Sequence, residues 1–415
     1  MQFNSAPEGR PARGWVVLTA SFFTLTVLYG VWYSYSVFLV ALLREFGWPR
    51  SVVAGAFSAF VFVHGLVAPG IGWLARRFGP RRLILSGGAV MCLGLLLAAQ
   101  TTAWWHLYLT FGVVSALGMG LGGWVPTVIL ARGWFPGSVA TAIGVTSGGI
   151  GVGILVLVPV TQWLIDQVGW RWAYRILAAL VVAYIAPAAL ALIQDPPAVK
   201  EGTDETTAAV GPSRAYWTLA AAFRSPRYWC LGGVYLTGNF VTQMLLIHQV
   251  AYLVDHGVSA MTAAEVAGAV GFVSILAKVG WGVLADRAGR ELAYGLAFAC
   301  TALSLGLLIW AGQNHGPALL ALYALAIGLG YAIMAPVPPA AASDLFGGPG
   351  FSTIFGTIYT FGAVGLAGGT WSAGWIFDLT GSYAGALWLG LGMAIVSPLL
   401  LWKAAPRRAN PPSGC

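Results

Sequence analysis

Gly72-Trp73-Leu74-Ala75-Arg76-Arg77-Phe78-Gly79-Pro80-Arg81-Arg82 returns 210 positions later as Gly282-Val283-Leu284-Ala285-Asp286-Arg287-Ala288-Gly289-Arg290. Each copy closes one long apolar run with a basic, glycine-punctuated turn and is followed at once by another. A second echo joins Gly169-Trp170-Arg171-Trp172-Ala173-Tyr174 to Gly381-Ser382-Tyr383-Ala384, at an offset of 212. Two echoes at nearly the same spacing mean that one unit occurs twice. Parallel repeats of membrane helices favour a binding site at the bilayer midplane, between the halves.

The runs joined by these turns set the scale of the molecule. Of 415 residues, 58% are hydrophobic and 8% charged, against about a quarter charged in soluble domains; mean hydropathy is +0.79. Too few charges remain to cover a soluble globule, so the unit is the spanning helix of about 20 apolar residues. Runs fall near 14–41, 52–77, 82–101, 104–131, 137–165, 171–194, 227–254, 260–286, 291–313, 315–343, 350–377 and 381–403. This predicts an all-α membrane protein with twelve transmembrane helices in two pseudo-symmetric six-helix bundles. A β-barrel would need alternation over strands of about ten residues, whereas these runs are longer and apolar on every face. The first run follows Arg10 and Arg13 like a signal peptide, but exceeds the roughly 7–15 apolar residues of a cleaved segment and is expected to stay as a span.

Net charge is +8, and its placement decides its meaning. With both termini cytoplasmic, sixteen of the 21 Lys and Arg residues lie on the cytoplasmic side, four (Arg44, Arg50, Arg171, Arg175) lie outside, and Lys278 falls within a span. That asymmetry follows the positive-inside rule and sets aside a nucleic-acid partner. Trp104, Trp105, Trp163, Trp170 and Trp172 mark the outer ends as an aromatic belt. Residues 195–226, with Pro196, Pro197, Lys200, Glu201, Asp204 and Glu205, are too few for a domain. They divide an N-terminal bundle, 1–194, from a C-terminal bundle, 227–415, as a cytoplasmic linker. The expected setting is the cell membrane, with the bilayer as the main partner and the chain a monomer. Cys92, Cys230, Cys300 and Cys415 are too scattered for a disulfide framework or a zinc motif, and neither metal nor cofactor is expected.

The doubled G-x-L-A-D-R-x-G-R phrase resembles the loop of the major facilitator superfamily, and the resemblance covers essentially the whole chain. Tyr33-Ser34-Tyr35-Ser36-Val37-Phe38 leading to Glu45-Phe46-Gly47-Trp48, with Arg132-Gly133-Trp134-Phe135-Pro136 and Ser343-Asp344-Leu345-Phe346-Gly347, resembles the branch of monocarboxylate transporters and the oxalate:formate exchanger. The resemblance makes Gly72, Arg76, Gly79, Gly282, Asp286, Arg287, Gly289 and Arg290 a conformational motif. Arg76 stands where the motif has an acid and Asp286 keeps it, which implies a lopsided latch.

Lys278 is the one full charge expected deep in a span. It lies 8 residues before Asp286, about 12 Å along a helix and near the middle of a core about 30 Å thick. Such a charge costs about 2.5–3.5 kcal/mol even on the lenient insertion scale, and no carboxylate is expected at matching depth. Gly271, Ser274 and Gly282, at i−7, i−4 and i+4, form a small-residue face with room for water and a ligand. Lys278 is thus read as the binding cation for an anionic substrate, the plainer alternative being a structural lysine bonded to carbonyls. The resemblance places Lys278 where an arginine usually holds the substrate carboxylate. Lysine offers a point charge in place of a bidentate fork. By the same resemblance Ser274 takes the place of a proton-coupling aspartate of animal monocarboxylate transporters, Tyr33 that of a first-helix lysine, and Gly362 that of the exchanger's second cation.

His64 is read either as a satisfied core residue or, by alignment through Pro69-Gly70, as a cavity-facing group; His64 and Lys278 are the proton-coupling candidates. His248 is expected at the outer interface. Asn239 and Gln243 share a helix face, for bundle hydrogen bonding or substrate contact. Tyr29 and Tyr33 also share a face, and Trp124, Tyr331 and Tyr359 align with aromatic wall positions of the branch. Gly118-x-Gly120-x-x-Gly123 spells a dinucleotide fingerprint, but lacks the strand and acid that mechanism needs and is read as close helix packing. No H-E-x-x-H or G-x-S-x-G is present, so an enzyme is not expected. The expectation is a secondary transporter of a small organic monocarboxylate, lactate- or pyruvate-like and proton-coupled. The alternatives are an uncoupled oxalate- or formate-like anion exchanger and, less favoured, a transport-dead sensor.

Overall fold

The computed structural model describes residues 10–135, 139–196, 217–347 and 351–406. Among them there is no strand; twelve helical segments follow the twelve apolar runs. They are α1 (Arg10–Phe46), α2 (Arg50–Phe78), α3 (Pro80–Ala98), α4 (Trp104–Trp134), α5 (Val139–Val168), α6 (Trp170–Leu192), α7 (Pro226–Asp255), α8 (Ala260–Ala288), α9 (Arg290–Ala311), α10 (Pro317–Phe346), α11 (Phe351–Thr380) and α12 (Ala384–Ala404). All but α11 meet a length-and-hydropathy test for crossing a membrane, and α11, at 30 residues, occupies the eleventh predicted run. A short helix, Leu219–Arg224, capped by Thr218, leads into α7; the rest of the expected linker, 197–216, lies outside the described residues.

The repeated phrase folds the same way twice. Gly79 (φ +82°, ψ 144°) ends α2 and starts α3, and Gly289 (φ +101°, ψ 155°) does so between α8 and α9. That backbone region is open essentially to glycine alone, so one residue reverses the chain where another type would need a loop. Gly169 and Gly381, the second echo, also have positive φ. α4 is interrupted: Tyr108–Ser115 is π-helical, and Gly123 breaks the chain before Trp124. A Cβ on Gly118 would strike the backbone of Met91 in α3, so these glycines serve close helix packing.

Within the first six spans α1 lies along α5 and α3 along α4 and α6; within the last six α7 lies along α11 and α12, and α10 along α8 and α9. Two long seams join the sets, α2 against α11 and α5 against α8. Small residues let the backbones meet there: Gly151 and Gly271 face each other's carbonyls, and Ser58 Oγ donates to the Ala367 carbonyl across the other seam (2.8 Å).

A charged clamp between the sets lies at the end opposite the termini. Arg50, at the start of α2, pairs with Asp255 of α7 (2.7 Å) and donates to Tyr383 Oη (2.9 Å), its guanidinium over the Phe377 ring (3.8 Å). Asp378 of α11 accepts the backbone N–H groups of Arg50 and Ser51, both at 2.7 Å, capping α2 from across the seam. His248 lies behind this clamp, buried. Its Nδ1 meets Tyr383 Oη (3.0 Å) and its Nε2 the Thr370 carbonyl (2.8 Å). The expected interfacial histidine is therefore a core one, because both ring nitrogens find partners on neighbouring helices. At the termini end Arg290 bonds Asp286 and Asp344, both within the second set.

Replacing Gly289 by valine forces a branched residue into that conformation and should cost about 1–3 kcal/mol, read as a lower Tm of the purified protein in detergent. Gly306→Ala, mid-helix where an added Cβ meets open space, should leave Tm unchanged or slightly raised. A Gly289→Val protein as stable as wild type would show that the turn does not depend on glycine.

Candidate functional site

α8 carries its apolar surface on one stripe, Phe272, Leu276, Val279 and Val283, each 46–67% exposed. At 100° per residue Lys278 points away from that stripe, on the same side as buried Ser274 and Gly271. It sits ten residues from the end of α8, about 15 Å in. Among the described residues it makes no ion pair and no hydrogen bond; its one recorded neighbour is the ring of Tyr331, whose centroid lies 5.8 Å from Nζ. Tyr331 Oη donates to Ser274 Oγ (2.8 Å), Ser274 donates to the Gly271 carbonyl (2.7 Å), and Trp281 Nε1 donates to the Leu329 carbonyl (2.8 Å), pinning α10 to α8.

Tyrosines from both halves converge beside this group. Tyr33 of α1 lies within electrostatic reach of Tyr29, Tyr331 and Tyr359, and Tyr29 of Tyr359. Tyr359 is 39% exposed. Tyr235 of α7, which the sequence pattern did not single out, stacks edge-on to Tyr359 (6.1 Å); it lies at i−4 of Asn239, on the face already chosen there. Asn239 Nδ2 donates to the Tyr235 carbonyl (2.7 Å), and a Cβ on Gly362 would come within 3.1 Å of that amide. Gln243 is buried, and its Nε2 has no hydrogen-bond partner among the described residues.

His64 and Trp124 stand apart from this cluster. His64 is nearly enclosed, edge-on to Trp32 (5.3 Å), with Nδ1 unpartnered among the described residues; Trp32 in turn stacks on Tyr29 (5.5 Å). Trp124, just past the break in α4, makes no ring contact with the cluster among the described residues.

In the conformational motif, the second copy closes on itself through Asp286, Arg290 and Asp344. The first takes its acid from elsewhere: Asp195 accepts the Arg81 backbone N–H (2.8 Å), while the Arg81 guanidinium donates to the Ala189 and Leu190 carbonyls (both 2.7 Å). Gly72 has open space around it, a Cβ on Gly282 would meet only Pro336 at 3.9 Å, and Arg287 is exposed.

Paired sets of six helices around a midplane cluster are matched by sequence comparison: the family model described as Major Facilitator Superfamily covers residues 21–277 and 244–414. The chain belongs to the Major Facilitator Superfamily. Within it, the chain falls in the monocarboxylate transporter branch. It is 30% identical to monocarboxylate transporter 3 of Rattus norvegicus, over 89% of this chain and 75% of that one. It is 28% identical to monocarboxylate transporter 13 of Bos taurus, over 95% and 91%. Among solved structures, a bacterial homolog of the human lysosomal transporter Spinster, inward-facing and occupied, matches with a TM-score of 0.75 over 98% of both chains at 15% identity, a likeness of fold. As a member of this superfamily the chain is a multi-pass membrane transporter and not an enzyme.

Proposed function

We propose that the chain is a secondary active transporter of a small organic monocarboxylate, of the lactate or pyruvate type, working by alternating access in the cell membrane as a monomer. One observation carries the reading: Lys278 holds an ammonium mid-span with no anionic partner among the described residues. A buried cation without a counter-charge is costly, and a substrate carboxylate supplies what is missing. The aromatic wall of Tyr29, Tyr33, Tyr331 and Tyr359 suits a small, partly apolar acid, with Asn239, Gln243 and Trp124 as outlying contacts. The names of the relatives point to the same substrate class. One cation fits one carboxylate better than two.

With both termini cytoplasmic, the Arg50 clamp closes the outer end and the unclamped end faces the cytoplasm. The bundles 1–194 and 227–415, joined by the linker 195–226, rock about the site, and outward opening breaks the clamp. The proton limb of the reading rests on His64: protonated, it adds a positive charge from the first half, and a bound carboxylate and that proton favour each other reciprocally. Anion exchange without proton coupling is the second reading, favoured by the lack of any carboxylate paired with Lys278 among the described residues and by the near-enclosure of His64.

Lys278→Ala should weaken saturable monocarboxylate binding by at least about thirtyfold, with Tm unchanged or raised because no ion pair is lost. Lys278→Arg should keep part of the affinity. Wild-type affinity in Lys278→Ala, measured by isothermal titration calorimetry, would remove the anion site.

Uptake into proteoliposomes should rise as external pH falls, because a protonated His64 favours the bound anion. His64→Gln should flatten that rise more than it lowers transport at alkaline pH. A mutant that keeps the full response under a clamped gradient leaves exchange as the function.

A further inference from the structure

Tyr331 meets the lysine with the wrong part of itself for a hydrogen-bonding residue. Its single hydroxyl proton is committed to Ser274 Oγ at 2.8 Å, and the Ser274 proton to the Gly271 carbonyl at 2.7 Å. Ser274 is fully buried, so no water competes for either bond. Both hydroxyls are therefore spent in a short relay that ends on the backbone of α8, at Gly271, two turns before Lys278. What Tyr331 presents to the ammonium is its ring, 5.8 Å from Nζ to centroid, within the roughly 6 Å over which an aromatic face attracts a cation.

We propose that Ser274 is a positioning residue: by holding the Tyr331 hydroxyl it fixes the ring beside Lys278, and the fixed ring holds the ammonium in place for an incoming carboxylate. This rests on the reading of Lys278 as the anion site and extends it to two residues that never touch the carboxylate through their oxygens. A lysine side chain has four rotatable bonds, and one left without a partner in a low-dielectric site swings toward the nearest water. Ordering it on binding would cost affinity; a ring already in place has done that ordering. The anchor belongs to α8 itself, so ring and ammonium keep their relation when the halves move. The Trp281 bond to Leu329 keeps α10 at the same distance.

The relay is one linked object, and a double-mutant cycle separates that from two independent contacts. L-lactate serves as the probe, with affinity from calorimetry and KM and Vmax from uptake into proteoliposomes. Ser274→Ala and Tyr331→Phe each cut the same link and should each weaken affinity about three- to tenfold. The double variant should be no worse than either, with the loss read in KM more than in Vmax. Ser274→Thr, which keeps a hydroxyl, should recover most of the affinity, whereas Tyr331→Leu, which removes the ring, should lose more than Tyr331→Phe. Wild-type affinity in Ser274→Ala, additive losses in the double variant, or a fall confined to Vmax would each overturn the positioning role. Lys278→Ala run alongside distinguishes the two levels: if it loses binding while Ser274→Ala does not, only the positioning role fails. If Lys278→Ala binds normally, the anion site itself fails.

Discussion

An ammonium group in the middle of a membrane span, with none of its three donors engaged by the described protein, is the constraint on which the remainder of the site depends. Water would satisfy it cheaply and hydrocarbon not at all, so the surrounding helices must leave a gap, and that gap must lie away from the lipid stripe of α8. The aromatic rings around it resolve the conflict in part. They are apolar enough to line a mid-membrane space, and their faces are electron-rich enough to lie against a cation.

Two sets of six helices meet along two long seams. Glycine pairs such as Gly151 and Gly271 draw the seams tight, while bulky tyrosines keep the centre apart. At the far end charges cross from one set to the other. Arg50, Asp255 and Asp378 form a compact clamp there, whereas the motif networks at the termini end stay within their own halves.

Much of this was legible in the residues. Apolar run length locates every span, since nothing else satisfies a backbone in hydrocarbon, and the repeated glycines mark turns whose backbone only glycine adopts. Lys278 stood out for the same energetic reason. What the pattern could not show is which side chains meet across helices. His248 reads as an interfacial residue from its place near the end of α7, yet Thr370 and Tyr383, over a hundred positions away, make it a core group. Tyr235 and Trp32 look like ordinary apolar filler until α11 and α2 are packed against them. Ser274 carries no sign in the sequence that its partner is Tyr331 and not the lysine one turn on. The breaks inside α4 are only partly announced, by Gly123, since a π-helical turn depends on neighbours more than on composition.

If the unpaired charge governs the site, ligand charge must govern binding. Thermal unfolding of the purified protein with L-lactate and, separately, with its uncharged methyl ester tests this most directly. The acid, at about a hundred times its Kd, should stabilise the folded protein by about 2.7 kcal/mol and raise Tm, while the ester at the same concentration leaves Tm where it was. Equal stabilisation by acid and ester would contradict the account, because a site that ignores the carboxylate charge is not built on Lys278.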